Sequence, residues 1–360
     1  MYKYPLAVTQ QFRFCGNPFR LDVYLGCDFG CKYCFANSKL GGTKFKEYDV
    51  ADINVLRTNF KVINSGKEIG DSINQNCLIH RVPLHLGGMA DPLQFRDKKL
   101  KLTGEVLKLT NEYSYPMMIS TKAASLPQEY WDLLDVKLHA FQISLMGYNE
   151  DFVRKFETNT PSPQERIKFM IALRDKGFWV SCRIQPLIDI EEAISLLKKI
   201  KGIVNFVTLE HIKIPRDNLE IAKLVYNEVG IPLSNFYVPK FGRNYEVKLS
   251  IKEKNLERIR EIEGLPLIGV GDNDLHHKSD TDNCCGIDTI NDKFDTWIKY
   301  NTMYFEKHPN TDKSKIWYPK GYCGPIFSSK VRPGMGELEY SKIVDSFEEK
   351  HYTKKFFEED

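Results

Sequence analysis

Six short apolar runs, separated by segments long enough to carry crossover helices, restrict the fold of this 360-residue chain more than any other feature. The runs are 19–25, 82–86, 117–121, 139–145, 178–184 and 205–210, several of them dense in β-branched or aromatic residues that suit a buried, pleated sheet. Helical patterns lie between them at 100–111, 163–176 and 190–200, where Pro163 after Ser162 suits a first turn and Gly177 a helix stop. Strands joined by helices run parallel. The expectation is therefore an α/β fold whose six strands form a partial (β/α)6 barrel, with active residues on loops leaving the carboxyl ends of the strands. The rhythm weakens past residue 215. A lead-in over 1–18, a barrel over 19–215 and a C-terminal α+β extension over 216–360 follow, the extension covering or completing the open barrel. Within it, helices are expected over 216–229 and 251–262 and a short strand over 266–270.

Composition narrows the setting. A hydrophobic fraction of 42% and a charged fraction of 28% suit a globular protein, and no apolar run approaches membrane-spanning length. Residues 1–10 lack a cationic start followed by an apolar stretch, so no signal peptide is read and a cytoplasmic location is expected. Nine cysteines, an odd number, fit reduced thiols better than a disulfide framework. The net charge of +3 is too small to mark a nucleic-acid footprint by itself. The local clusters Arg96 to Lys101 and Lys354-Lys355 are read as solvated helix faces.

The most specific chemistry follows the first run. Cys27, Cys31 and Cys34 stand four and three residues apart in Gly26-Cys27-Asp28-Phe29-Gly30-Cys31-Lys32-Tyr33-Cys34-Phe35. Thiolate is the ligand iron-sulfur clusters prefer, and this spacing lets one loop wrap three of them around a compact cluster. Three local ligands leave one iron of a four-iron cluster open to a substrate or cosubstrate. A zinc site would more often show two separated pairs of ligands.

These residues resemble the radical S-adenosylmethionine (SAM) superfamily, whose shared motif is Cys-x3-Cys-x2-Cys with an aromatic before the last cysteine, here Tyr33. The resemblance implies a [4Fe-4S] cluster on Cys27, Cys31 and Cys34, SAM on the remaining iron, and an electron donor such as flavodoxin or ferredoxin. It also implies that Gly87, Gly88 and Met89 stand where the family has its Gly-Gly-Glu segment for the SAM amino group; with Met89 in the glutamate position, backbone carbonyls and Asp91 become the candidates. Lys122, Ser144 and Arg183, at the ends of later strands, are candidates for the carboxylate and ribose of SAM, with Arg183 rather than Cys182 facing inward. Phe29, Tyr33 and Phe35 are expected to shield cluster and adenine. A narrower resemblance, to the spore photoproduct lyase-like group, rests on Cys31 to Ala36, Gly88-Met89-Ala90-Asp91-Pro92, Ser120-Thr121-Lys122, and the stretch Phe156 to Arg166. Glu157 and Arg166 are expected to be a structural pair. The lyase's hydrogen-returning cysteine has no counterpart in Leu86 to Ala90, which argues against repair of spore photoproduct itself. A nucleobase or nucleotide in DNA is the first expected substrate. A peptide or protein side chain, or a non-catalytic iron-sulfur redox protein, is the alternative.

A second cysteine group, Cys284-Cys285-Gly286, follows a polar loop containing Asp272, Asp274, His276 and His277. Three readings stay open: an auxiliary metal or cluster with help from Cys323, thiols acting catalytically on a substrate radical, or turn chemistry with inert thiols. Cys15, Cys77 and Cys182 are read as thiols without partners. Trp179, Phe236, Tyr237, Trp317 and Tyr318 are read as packing residues rather than base-stacking platforms.

Overall fold

The computed structural model describes residues 1–9, 15–36, 48–67, 72–216, 218–239, 244–297, 304 and 307–310. Six parallel strands, Phe19–Leu21, Leu84–Leu86, Met117–Thr121, His139–Ser144, Val180–Leu187 and Phe206–His211, lie side by side in chain order. This is the expected partial barrel. The extension adds a seventh parallel strand, Leu267–Val270, in register with 206–209, and the lead-in adds an antiparallel one, Leu6–Val8, against Phe19–Leu21. The helices at Leu102–Glu112, Pro163–Asp175 and Ile190–Ile200 fall where their spacing predicts. Ser162 and Glu165 form a reciprocal capping box with Pro163 in the first turn, and Gly177 follows the helix at φ +86°.

Strand alternation divides the barrel wall into two chemistries. Phe19, Leu21, Leu84, Leu86, Met117, Ile119, Phe141, Ile143, Val180, Cys182, Ile184, Val207 and Leu209 join the main core under the helices. The intervening positions, Arg20, His85, Ser120, Gln142, Arg183 and Thr208, carry the polar residues of the concave side, so Cys182 faces the helices and Arg183 the interior, as expected. The extension enters that interior. Thr208 donates to the Cys284 carbonyl at 2.9 Å, and a Cβ on Gly269 would lie 2.2 Å from that oxygen. Ile287 and Phe294 then pack on Met118 and Ala140, which closes the amino-terminal end of the barrel with apolar groups. Trp179 belongs to the same plug, stacked on Phe206 with its indole N–H donated to Thr289.

Sequence periodicity did not reveal a small antiparallel sheet of Lys213–Pro215, Asn244–Val247 and Phe236–Tyr237 beside the rim. It is pinned by a buried ionic cluster in which Lys252 Nζ reaches Asp274 at 2.8 Å, Asp272 at 3.5 Å and Glu246 at 3.6 Å, and His211 Nδ1 reaches Asp272 at 2.7 Å. Among the described residues no helix is long and apolar enough to cross a membrane. Because the Cys284 backbone crosses directly over Gly269, Gly269→Val is expected to destabilise the fold by about 1–3 kcal/mol. Urea unfolding checks this, and an unchanged midpoint would count against the crossing.

Candidate active site

The cysteine loop leaves the first parallel strand through Tyr24–Leu25 and turns at Gly26, φ +82°, and Gly30, φ +61°, where a side chain would be strained. Two clamps hold it. On one side Gln94 accepts from the Asp28 amide at 2.8 Å and donates to the Gly26 carbonyl at 3.1 Å, while Arg96 Nη2 pairs with Asp28 at 2.6 Å. Phe29 is buried there, edge-on to Phe95 at 5.4 Å. On the other side Lys32 donates its amide to Phe156 O at 2.9 Å, and Asn159 donates to the carbonyls of Phe29 at 3.2 Å and Asp28 at 3.1 Å.

The second clamp rests on a fully buried ion pair. Arg166 Nη2 meets Glu157 Oε2 at 2.6 Å, with the two side chains 0% and 1% exposed. The guanidinium also donates to Ser144 O at 2.8 Å, Pro161 O at 3.0 Å and Thr160 Oγ1 at 2.8 Å, so each of its three nitrogens has a partner. The carboxylate in turn accepts from the Tyr33 hydroxyl. The expected structural pair therefore reaches into the motif itself, and Tyr33 is oriented by it. Phe35, 46% exposed, lies at the surface.

The three thiols suit a polynuclear metal centre. Burial pushes Cys27 up to about 12, helped by the fields of Asp91 and Cys34. Burial pushes Cys31 higher still; Lys122 opposes this, while Glu157 and the other two thiols add to it. Thiols that resist ionisation, as Cys27 and Cys31 do, become thiolates when metal charge compensates them. Lys122 supplies a further cation. Burial works against its charge, but Cys31 and Glu157 outweigh burial and raise its pKa. Among the described residues no three His, Cys, Asp or Glu side chains gather as they would around one ion. A cubane takes each thiolate on a different iron, so its ligands stand farther apart than those of a mononuclear site.

Next to the thiols lies the glycine turn. Gly87, φ +95°, is required by packing: its missing Cβ would sit 2.4 Å from Ser120 O and 2.7 Å from Pro92 Cδ. Asp22 holds the turn by accepting from Met89 N at 2.7 Å and Ala90 N at 3.4 Å. Asp91 points its carboxylate into the neighbouring strand end, accepting from Thr121 Oγ1 at 2.7 Å, Lys122 N at 2.6 Å and Leu93 N at 2.9 Å. Its contacts are those of a staple between two rim loops. Ser144 is buried beside Arg183 in register, and Arg183 donates to Gln142 at 3.3 Å and to Gln185.

The adjacent cysteines of the extension diverge. Cys285 Sγ contacts Asn283 Oδ1 at 3.0 Å and packs with the apolar plug. Cys284 lies where the fields of Cys15, Glu210 and Arg183 reach it, and burial pushes it up to about 12, so it stays a thiol. Cys15, read from sequence as isolated, belongs here: a Cβ on Gly16 would lie 2.6 Å from Asn283. Cys323, Trp317, Tyr318 and Lys354-Lys355 lie outside the described residues. Phe236 is buried in the second core, and the Tyr237 hydroxyl donates to Asp274 at 3.2 Å.

Residues 21–192 match the Radical SAM superfamily model. Those residues carry a radical SAM domain. Two solved structures share the fold: a point mutant of spore photoproduct lyase, TM-score 0.52 at 14% identity over 71% of this chain and 76% of that one, and spore photoproduct lyase complexed with dinucleoside spore photoproduct, TM-score 0.50 at 14% identity over 72% and 77%. Uncharacterized proteins of Mycobacterium tuberculosis and Mycobacterium bovis are 24% identical over 190 residues, 52% of this chain and 53% of theirs. The aligned region thus spans about half the length of these curated relatives. The radical SAM family brings a [4Fe-4S] cluster and SAM with it, and the Cys27, Cys31 and Cys34 donor set fits that cluster.

Sequence reasoning missed Asp22, Gln94 and Asn159, which act through backbone contacts across long chain separations and leave no local signature, and it read Arg96 as part of a solvated face, whereas the Arg96 side chain pairs with Asp28. Removing one partner of a buried pair strands the other charge. Arg166→Ala is therefore expected to cost about 3–5 kcal/mol in denaturant unfolding and to lower iron retention after reconstitution; Arg174→Ala, at the surface, is the control that should do neither.

Proposed function

We propose that this chain is a radical SAM enzyme in which Cys27, Cys31 and Cys34 hold the cluster and the barrel interior receives an unreactive C–H group of the substrate. The supporting observation is the half-buried thiol triplet at the carboxyl rim, clamped by Gln94 and by Glu157 through Tyr33, with Lys122 beside it. When bound, the cluster and SAM supply reductive cleavage to a 5′-deoxyadenosyl radical, and a flavodoxin- or ferredoxin-type protein supplies the electron. The chain's own groups orient and exclude water: Gly87, Gly88 and Met89 present backbone on a turn fixed by Asp22 and Asp91, Lys122 and Ser144 offer a cation and a hydroxyl at the rim, and Phe29 seals the loop.

The substrate proposed is a nucleobase or nucleotide. Its support is the fold shared with spore photoproduct lyase and an interior lined by Arg20 and Arg183. Since Leu86 to Ala90 contain no cysteine, the hydrogen donor proposed is Cys284, on the opposite wall. Its S–H bond would break as the substrate C–H bond forms, and the thiyl left behind would be restored by one electron from the same reductant and one proton.

In Cys31→Ala, 5′-deoxyadenosine release under anaerobic, reducing conditions is expected to vanish, and release at wild-type rate would refute the assignment. Wild-type protein is expected to modify oligonucleotides and not peptides. Cys284→Ala is expected to keep four irons and SAM cleavage while losing at least tenfold in modified product; fewer irons would point instead to an auxiliary cluster.

A further inference from the structure

The basic run Arg96 to Lys101, with Phe95 before it, stands directly against the cysteine loop. Its inner side is fixed. Gln94, 0% exposed, holds Gly26 and Asp28. Asp97, 1% exposed, accepts from the Thr103 amide at 3.0 Å, from the Tyr130 hydroxyl at 2.8 Å and from the hydroxyl of Tyr24, on the strand that leads into the loop. With Gln94 and Asp97 turned inward three residues apart, Phe95 and the residues three and four beyond it, Lys98 and Lys99, turn outward together. Run and loop therefore share one rigid support.

The outer side joins apolar and cationic groups. Phe95 is 48% exposed and Leu100 44%, with exposed Lys98, Lys99 and Lys101 between and beside them. Lys101 pairs with Glu129 at 2.7 Å, whereas among the described residues Lys98 and Lys99 have no acidic partner. Arg96 neutralises Asp28 and lays its guanidinium 3.6 Å from the centre of the exposed Tyr48 ring. Solitary exposed hydrophobics are ordinary, but large apolar groups set among unpaired cations on a rigid support suit a partner of opposite charge. Location narrows that partner. The exposed Phe95 ring meets the buried Phe29 ring edge-on at 5.4 Å, and Phe29 stands midway between Cys27 and Cys31 in the chain. A protein seated on Phe95 thus has a single ring between itself and the thiol loop. Electron carriers need such closeness, and they make small, weak, charge-steered contacts.

We propose that Phe95, Lys98, Lys99 and Leu100 form the docking surface for an acidic one-electron carrier of the flavodoxin type. The proposal rests on the radical SAM reading and gives a place to the partner that reading requires. The flavin hydroquinone anion leaves as the neutral semiquinone, and its one electron passes to the cluster with no proton moved. Reduced acidic flavodoxin is the probe, given to the full chain carrying its cluster and SAM, with dithionite as the protein-free reductant in a parallel assay. In the double variant Lys98→Glu, Lys99→Glu the flavodoxin concentration for half-maximal 5′-deoxyadenosine release is expected to rise at least tenfold at low salt, while the dithionite-driven rate stays within twofold of wild type. Lys198→Glu with Lys199→Glu, an equally exposed pair on the helix Ile190–Ile200, is the control and should change neither. Added salt is expected to weaken flavodoxin-driven release by the wild type. Two results would overturn the surface: a half-maximal concentration within twofold of wild type in the Lys98, Lys99 variant, or an equal rise in the control. Calorimetric titration of oxidised flavodoxin into cluster-free protein keeps the two readings apart, because binding that weakens tenfold with Lys98 and Lys99 reversed would stand even if neither reductant released 5′-deoxyadenosine.

Discussion

The buried pair of Glu157 and Arg166 carries more of this architecture than its two charges suggest. An arginine with no solvent contact is tolerated only when its donors are matched, and here they are matched by groups from three separate parts of the fold: the strand ending at Ser144, the turn through Thr160 and Pro161, and Glu157 itself. Glu157 hands the constraint on to Tyr33, inside the cysteine loop. The cysteine loop is thereby fixed from behind by the helix that starts at Pro163, whose own start is set by the Ser162 and Glu165 capping box.

A second organising constraint is the two-residue period of the strands. It sends leucine, valine, isoleucine and phenylalanine toward the helices and arginine, histidine, glutamine and threonine toward the interior, from one continuous wall. The polar side is stabilised by hydrogen bonds between neighbouring strands, as in Ser120 to Gln142 and Gln142 to Thr208. Among the described residues those bonds run out at Arg20 Nε and at the Asn17 amide.

Much of the barrel was legible because its signals are local. Met117–Thr121 and Ile190–Ile200 follow from β-branched density and 3.6-residue spacing, and the cysteine spacing follows from loop geometry. The clamps were not legible, since Gln94 to Gly26 and Asn159 to Asp28 join residues far apart in sequence through backbone atoms that any residue type presents. Cys15 looked isolated for the same reason: its neighbour in space, Cys284, arrives from the far end of the described chain. The rim sheet escaped because its strands, two to four residues long, are too short to show alternation.

The apolar plug of Ile287 and Phe294 gives the interior a floor. A barrel with a floor is a cup, not a tunnel, so a polymeric substrate cannot be threaded through it. Any chain longer than the cup is deep must lie across the mouth and lower a single unit inside, and a stacked base would have to leave its neighbours to do so. The energetic ease of that extrusion, rather than contacts along the polymer, would then govern which units are chosen.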